Sequence, residues 1–483
     1  MPQKYTPRAF QREATRFLIE HKRCALFMEP GTGKTSTVAE AIDILMTAGF
    51  SEQSLIVAPL RVARSTWKEE FAKWAHLCHY EVACMVGTPE QRLASLLSRS
   101  RIKTINFENL QWLHSTLKSL KIKWPFKVIV IDESSKLKSV RTSWQVSKTG
   151  KKFLRVDEGM RVKELLKASW DPRWVEDLYL WELTGSPCAN SLGDLWAQLF
   201  FIDGGKTLGR TYTDYDQRFW RTGWKGWSKE LMSHSEEEIR KLIAPHVFTV
   251  RAEDYMVLGE EIETNIYIDL PDTVRQYYRE MEKSFYTEIK KVKEIREIEA
   301  LSKASSLGKM HQIANGAIYY EKEGKYEDLH TEKLQALESI IEELGGKPII
   351  VVYNFKSDLE KLKKYFPKGK AFDKKQTTED NFKAGKIPIL FIHPGSGGHG
   401  VDKFQYVCNH IAFFSQGWDN ELRMQVIARI GKVRQAQAGF KRPCYIYNIL
   451  ARDTIDEDIL ERVGTKLSIE KTLKQALARR GLI

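Results

Sequence analysis

The sequence predicts an α/β protein of two parallel-sheet lobes with a mainly helical insertion in the middle. Two sets of short apolar runs carry this expectation. Ser54–Ala58, Arg101–Asn106, Lys127–Ile131 and Leu180–Leu183 lie in the first part, and Pro348–Tyr353, Ile387–Ile392, His410–Phe414 and Cys444–Ile449 in the last. Runs of this length, separated by helical patterns, read as strands buried on both faces. Between the sets the pattern changes. From Phe200 to Val250 it is aromatic and polar without strand runs, and Val274–Lys283 and Ile289–Glu299 are long, charged and helical. The expected division is a first lobe at 1–200, a helical and aromatic insertion at 201–265, a helical insertion and linker at 266–330, and a second lobe at 331–483.

At 483 residues the chain is too long for one core and suits two or three domains. No apolar run is long enough to span a bilayer, and Lys4, Arg8 and Arg12 interrupt any N-terminal signal pattern. The expectation is therefore no membrane partner and a cytoplasmic location. Six cysteines are scattered without C-x-x-C spacing, which argues against a disulfide framework or a zinc module. His76 and His79 flank Cys78, where a helix surface is the simpler account than a metal site. Lys plus Arg total 76 against 63 Asp plus Glu, a formal charge of +13. That excess fits either a polyanionic partner, through counterion release, or general solubility. Basic clusters fall at Lys356–Lys374, at Lys148–Lys152 and around Lys471, Lys474, Arg479 and Arg480.

The chemistry begins at Met28-Glu-Pro-Gly-Thr-Gly-Lys-Thr35, between the apolar run Cys24–Phe27 and the helix-like Ser36–Leu45. Strand, glycine loop and helix form the context of a phosphate-binding loop. Gly31, Thr32 and Gly33 would close backbone N–H groups around phosphate at a positive helix end. Lys34 would reach the β- and γ-phosphates of ATP, and Thr35 would hold Mg²⁺. Met28 stands where the full pattern has a glycine. The alternative is a glycine turn before an ordinary helix.

Asp132-Glu133 ends the Lys127–Ile131 run, at the position where open parallel sheets place ligands. A Mg²⁺-binding Asp132 followed by a water-positioning Glu133 is the expected pair. Phosphoryl transfer needs the ion, an aligned water and positive charge near the γ-phosphate, with little covalent help.

Asp132-Glu-Ser-Ser-Lys-Leu-Lys-Ser139 resembles the second motif of superfamily-two helicases, in the form found in Swi/Snf-type DNA translocases. Other motifs match in the family's order. Pro7-Arg-Ala-Phe-Gln11 is similar to the motif whose glutamine reads adenine, which nominates Gln11. Ile56-Val-Ala-Pro59 with Trp67 resembles a motif near the nucleic-acid track. Leu183-Thr-Gly-Ser-Pro-Cys-Ala-Asn-Ser-Leu192 is similar to the third motif, and Arg251-Ala-Glu-Asp254 to a stretch between lobes. Val351–Phe355, Gly397–Asp402 and Gln425–Gln435 resemble the fourth, fifth and sixth motifs, and Thr454–Leu460 with Lys466 the closing helix. The departures are Ser135 for a usual His or Asp, Asp402 for Asn, and Lys432 for the second arginine of the sixth motif.

The resemblance implies two RecA-like lobes with ATP and Mg²⁺ between them. Lys34, Glu133, Arg429, Lys432 and Arg434 are the implied catalytic set. Gln11, Gly31, Thr32, Gly33, Lys34, Thr35, Asp132 and Gln425 would bind nucleotide, with Thr35 and Asp132 on the metal. Arg429 is the first choice for an arginine finger, a device that contributes roughly 10³–10⁵ in rate. The partner implied is DNA, held by its backbone with little sequence specificity. The chain reads as a minimal, phage-type motor in a bacterial host cell, with a nuclease or replication protein as a further partner. A strand-separating DNA or RNA helicase and the motor subunit of a nuclease or restriction assembly are the alternatives. Most tryptophans read as core. Trp220, Trp224 and Trp227, near Arg218, Arg221 and Lys225, are the candidates for a nucleic-acid contact.

Overall fold

The computed structural model describes residues 2–137, 141–146, 152–157, 160–173, 175–188, 192–222, 229–291, 306–319, 325–373, 375–397 and 403–465. The chain forms two compact units, residues 1–223 with 229–255, and residues 256–483. In the first, the strands are β1 (Arg23–Met28), β2 (Ser54–Ala58), β3 (Val82–Cys84), β4 (Ile102–Asn106), β5 (Val128–Asp132), β6 (Arg141–Val146), β7 (Lys152–Asp157), β8 (Tyr179–Thr184), β9 (Trp220–Thr222), β10 (Lys229–Leu231) and β11 (Val247–Val250). Seven of them make one sheet in the order β11-β1-β8-β5-β2-β4-β3, with every neighbouring pair parallel. β6 with β7 and β9 with β10 are antiparallel hairpins.

Alternation along β1 explains why its sequence is apolar throughout. Ala25 and Phe27 enter one core with Leu110, Leu113 and Leu199, while Cys24, Leu26 and Met28 enter the other with Leu18, Ile42 and Leu45. Successive side chains point to opposite faces, so a sheet covered twice needs apolar residues at every position. Lys103 on β4 is a charged exception. Its fully buried amine caps the helix Pro89–Leu97, donating to Ser95 O at 2.7 Å and Ser98 O at 2.9 Å.

The second unit contributes β12 (Glu261–Ile268), β13 (Ala317–Tyr319), β14 (Tyr326–Asp328), β15 (Ile349–Val352), β16 (Gly369–Ala371), β17 (Ile389–Ile392), β18 (His410–Phe413) and β19 (Cys444–Ala451). Six form a parallel sheet in the order β12-β19-β18-β15-β17-β16. β13 and β14 pair antiparallel.

The sequence expectation leaves out several strands, β9 and β10 among them, which lie in the stretch read as lacking strand runs. The stretch 200–250, read as lacking strands, supplies β11 as an edge of the first sheet. β12 is eight residues long and pairs in full register with β19, from Glu261 opposite Cys444 to Ile268 opposite Ala451. Glu261, Glu263 and Asn265 give it the polar face of an edge strand, which hides it from a search for apolar runs. β3 is three residues long and too short to register as a run. The helix Asp272–Lys291 covers the first charged helical run. Residues 292–299 of the second run, Trp174, Trp224, Trp227, Gly398–Asp402 of the fifth motif and the chain from Lys466 onward lie outside the described residues.

A buried polar network braces the second unit. Lys333 Nζ lies 2.5 Å from Asp456 Oδ2 and donates to Asn315 Oδ1 at 2.6 Å, and Asn315 donates to Ser415 Oγ at 2.7 Å. Asn354 also donates to Ser415 Oγ, at 3.0 Å, and Asp358 accepts from the Phe355 N–H at 3.0 Å. Burial pushes His311 and His330 down to about 4 and Asp358 up to about 6. An imidazole with a depressed folded pKa stabilises fully above its unfolded value and loses that contribution as pH falls from about 6.5 toward 4. Asp358 acts oppositely, gaining as it protonates. Between pH 7 and pH 5 the two imidazoles cost about 4 kcal/mol and Asp358 offsets about 1. The urea midpoint of this unit, monitored by hydrogen exchange of β15, β18 and β19, should therefore fall between pH 7 and pH 5. A midpoint that holds or rises would contradict the neutral buried imidazoles.

Candidate active site

The first sheet ends, at the C-terminal tips of β1, β8 and β5, in the loops that carry the predicted chemistry. After Met28 the chain turns through Gly31 at φ 87° and Gly33 at φ 88° before entering the helix Lys34–Thr47. Both values are in the left-handed region, which explains glycine at these positions. Gln11 lies across the loop. Its Nε2 donates to Thr32 O at 3.2 Å, and its Oε1 accepts from the Arg8 N–H at 2.9 Å. A Cβ on Gly33 would stand 2.3 Å from Gln11 Nε2. Gly33→Ala should therefore strain the turn and expel Gln11, weakening nucleotide affinity at least about ten-fold. Fluorescent-nucleotide titration beside a thermal melt checks this; an unchanged affinity in a folded variant refutes it.

Lys34 folds back over its own loop, donating to Met28 O at 2.6 Å and Glu29 O at 3.2 Å. Thr32 N and Oγ1 both donate to Glu29 O, at 3.2 and 2.7 Å. The Glu29 carboxylate in turn accepts from the Ala252 N–H at 3.1 Å, which fastens the Arg251–Asp254 stretch to the phosphate loop. Thr35 is half-buried in the first helical turn.

Asp132 closes β5, opposite Leu183 of β8. Burial raises its pKa, while the Trp67 hydrogen bond, the Lys34 charge and the Glu133 backbone N–H pull it down. The Lys34 ammonium and the Asp132 carboxylate thus act on each other across the site. Glu133 comes next at φ 63°, a left-handed conformation that a residue with a Cβ seldom adopts and that marks functional turns. Gly185 of the third motif presses against the loop, where a Cβ would come within 2.9 Å of Pro30 Cδ. Buried Gln198 links the second and third motifs, accepting from Ser134 Oγ at 3.0 Å and donating to Pro187 O at 2.8 Å.

The sixth-motif residues lie in the second unit. The helix Asn420–Ile427 is capped by Asp419, whose Oδ1 accepts from the Glu421 N–H at 2.9 Å. Buried Arg423 fixes this helix, donating to Glu263 Oε1 at 2.7 Å and Asn448 Oδ1 at 2.9 Å, above the Phe413 ring. Gln425 is buried and donates to Glu421 Oε1 at 3.3 Å. Arg429 is half-buried in the next turn. Lys432 and Arg434, half-buried too, open the helix Lys432–Gln437, where the Lys432 N–H meets Glu261 Oε1 at 3.2 Å.

The structure therefore gathers Gln11, Gly31, Thr32, Gly33, Lys34, Thr35, Asp132 and Glu133 at one end of the first sheet. It gathers Gln425, Arg429, Lys432 and Arg434 around one turn of the second unit. Sequence reasoning missed the Trp67–Asp132 bond, the Glu29–Ala252 bond and the Gln198 bridge, because each joins residues distant in sequence that match no motif together.

The family described as SNF2-related domain matches residues 10–317. The chain belongs to this SNF2-related family. It is a helicase-like ATPase, and its two parallel-sheet lobes are RecA-like. It is 38% identical to putative protein p41 of Acyrthosiphon pisum secondary endosymbiont phage 1, over 99% of both chains. It is 24% identical to an uncharacterized ATP-dependent helicase, MG018, of Mycoplasma genitalium, covering 92% of this chain and 40% of that one. The Pyrococcus furiosus Hef helicase domain is similar in fold, with a TM-score of 0.53 and 15% identity, covering 94% of this chain and 97% of that domain.

Proposed function

We propose that this SNF2-related ATPase is a motor that couples ATP hydrolysis to movement along, or remodelling of, duplex or branched DNA. The observation that carries the reading is that the phosphate loop follows the end of β1 and Asp132-Glu133 the end of β5, the two strands that flank β8 in one parallel sheet. In this reading Gln11 contacts the adenine edge, and the Gly31–Gly33 backbone with Lys34 holds the phosphates. Glu133 orients the attacking water, and Arg429 supplies charge to the γ-phosphate in the transition state. Lys432 and Arg434 assist.

Among the described residues no group of three or more His, Cys, Asp or Glu could hold a metal. Thr35 and Asp132 alone suit Mg²⁺, which takes one or two protein oxygens and completes its shell with phosphate and water. When bound, the ion would neutralise charge on the β- and γ-phosphates.

Duplex DNA is the proposed track. Lys356, Lys363, Lys364, Lys368 and Lys370 are exposed on the helix Lys356–Tyr365, the turn after it and the strand Gly369–Ala371, next to the fourth motif. Such a face neutralises phosphates without reading bases. Among the described residues no helix is long and apolar enough to cross a membrane. The phage relative supports action in a bacterial host cell.

ATP hydrolysis measured without nucleic acid and with single-stranded, duplex and forked DNA and RNA tests the proposal. Strong stimulation by duplex, with triplex-strand displacement and no unwinding, is expected. Unwinding of the fork would favour a strand-separating helicase, and no response to any nucleic acid would overturn the motor reading.

A further inference from the structure

We infer that Trp67 is a positioning residue that holds the Asp132 carboxylate for a divalent cation, and that the turn carrying Trp67 ties this hold to the exposed face of Arg64 and Lys68. The inference rests on the reading of Asp132 as a cation ligand. Trp67 is fully buried, and its indole N–H donates to Asp132 Oδ2 at 2.9 Å. A buried indole N–H usually requires a partner, and this one engages the acid that ends β5. Groups that hydrogen-bond a metal ligand from behind fix its orientation, and losing them costs roughly 10–100-fold in metal affinity.

The backbone is built to deliver that N–H. Val62–Thr66 form a π-helical turn immediately before the helix Trp67–Lys73. Such turns are rare, and the extra residue rotates the succeeding helix by about 100° around its axis. Ala63 O accepts from Thr104 Oγ1 of β4 at 2.6 Å and from Cys84 Sγ of β3 at 3.3 Å. The sheet thereby pins the widened turn from below. The turn presents Arg64 to solvent, and the first turn of the helix after it presents Lys68 and Glu69. A phosphate backbone on these cations would load the segment whose inner side chain grips Asp132.

The test uses the full chain with ADP and Mn²⁺ as the probe, read by electron paramagnetic resonance. Trp67→Phe keeps the aromatic packing and deletes the donor. Its half-saturating Mn²⁺ should rise about ten-fold, as should half-saturating Mg²⁺ in the ATPase assay, while kcat at saturating Mg²⁺ stays within about three-fold. A merely structural role would lower the active fraction equally at every Mg²⁺ concentration. Thr104→Val, which removes the shorter of the two hydrogen bonds to Ala63 O but leaves Trp67 in place, should give a smaller rise and serves if Trp67→Phe fails to fold. Duplex DNA should lower half-saturating Mn²⁺ in the unaltered chain and not in Trp67→Phe. Unchanged Mn²⁺ binding in folded Trp67→Phe overturns the inference, and a surviving DNA response overturns the tie to Arg64 and Lys68. Asp132→Asn separates the layers: if it leaves Mn²⁺ binding unchanged, the cation-ligand reading itself fails.

Discussion

Replacing Glu133 by glutamine should lower ATP turnover by about 10²–10⁴ while nucleotide affinity stays within about three-fold. Glutamine matches glutamate in shape and loses only the charge and the basic oxygen. The Glu133 backbone, at φ 63°, has no reason to move, because the strain of a left-handed residue is the same for both side chains. Asp132, which receives the Glu133 backbone N–H, therefore keeps that support, and Lys34 keeps its hydrogen bonds to Met28 O and Glu29 O. What disappears is the group able to orient a water and accept its proton. Single-turnover hydrolysis together with fluorescent-nucleotide titration separates the two quantities. Turnover above a tenth of the unaltered rate would remove Glu133 from the proposed role, and a matching loss of affinity would recast it as a binding residue.

The central strands were legible because doubly covered strands must be apolar at every position. β2 occupies the expected Ser54–Ala58, and β5, β15, β17 and β18 each lie within one or two residues of their runs. The edges were not legible, for the converse reason. β12, with one side away from a neighbouring strand, carries Glu261, Glu263, Thr264 and Asn265 and loses the signal, and β11 is only four residues long. The site divides in the same way. Gly31 and Gly33 are visible because positive φ demands glycine, and Asp132-Glu133 because two acids end an apolar run. Trp67 could be read as a core tryptophan, and its full burial agrees. Its bond to Asp132 spans 65 positions and depends on a π-turn that leaves no compositional mark. Gln198 is equally silent, a polar residue in the middle of the mostly apolar helix Asp194–Asp203 that only the fold brings between Ser134 and Pro187.

Arg429→Ala should cost more turnover than Lys432→Ala, with a loss of about 10³–10⁵ in DNA-stimulated kcat and nucleotide affinity much less affected. At about 1.4 kcal/mol per decade this is about 4–7 kcal/mol of transition-state stabilisation. The two cations sit close together in sequence around one turn, but their surroundings differ. Arg429 comes after a helix locked by the contacts of buried Arg423 with Glu263 and Asn448, so its backbone is held in place. Lys432 begins a short helix, and its backbone N–H is on Glu261 Oε1. A guanidinium also offers a planar fork to two phosphate oxygens, which an ammonium on a flexible stem does not. Arg429→Lys should consequently recover little of the loss. Steady-state ATPase at saturating DNA, with nucleotide affinity measured in parallel, decides the order. A larger defect in Lys432→Ala would transfer the role to Lys432 and make the lysine at that position a functional replacement for arginine.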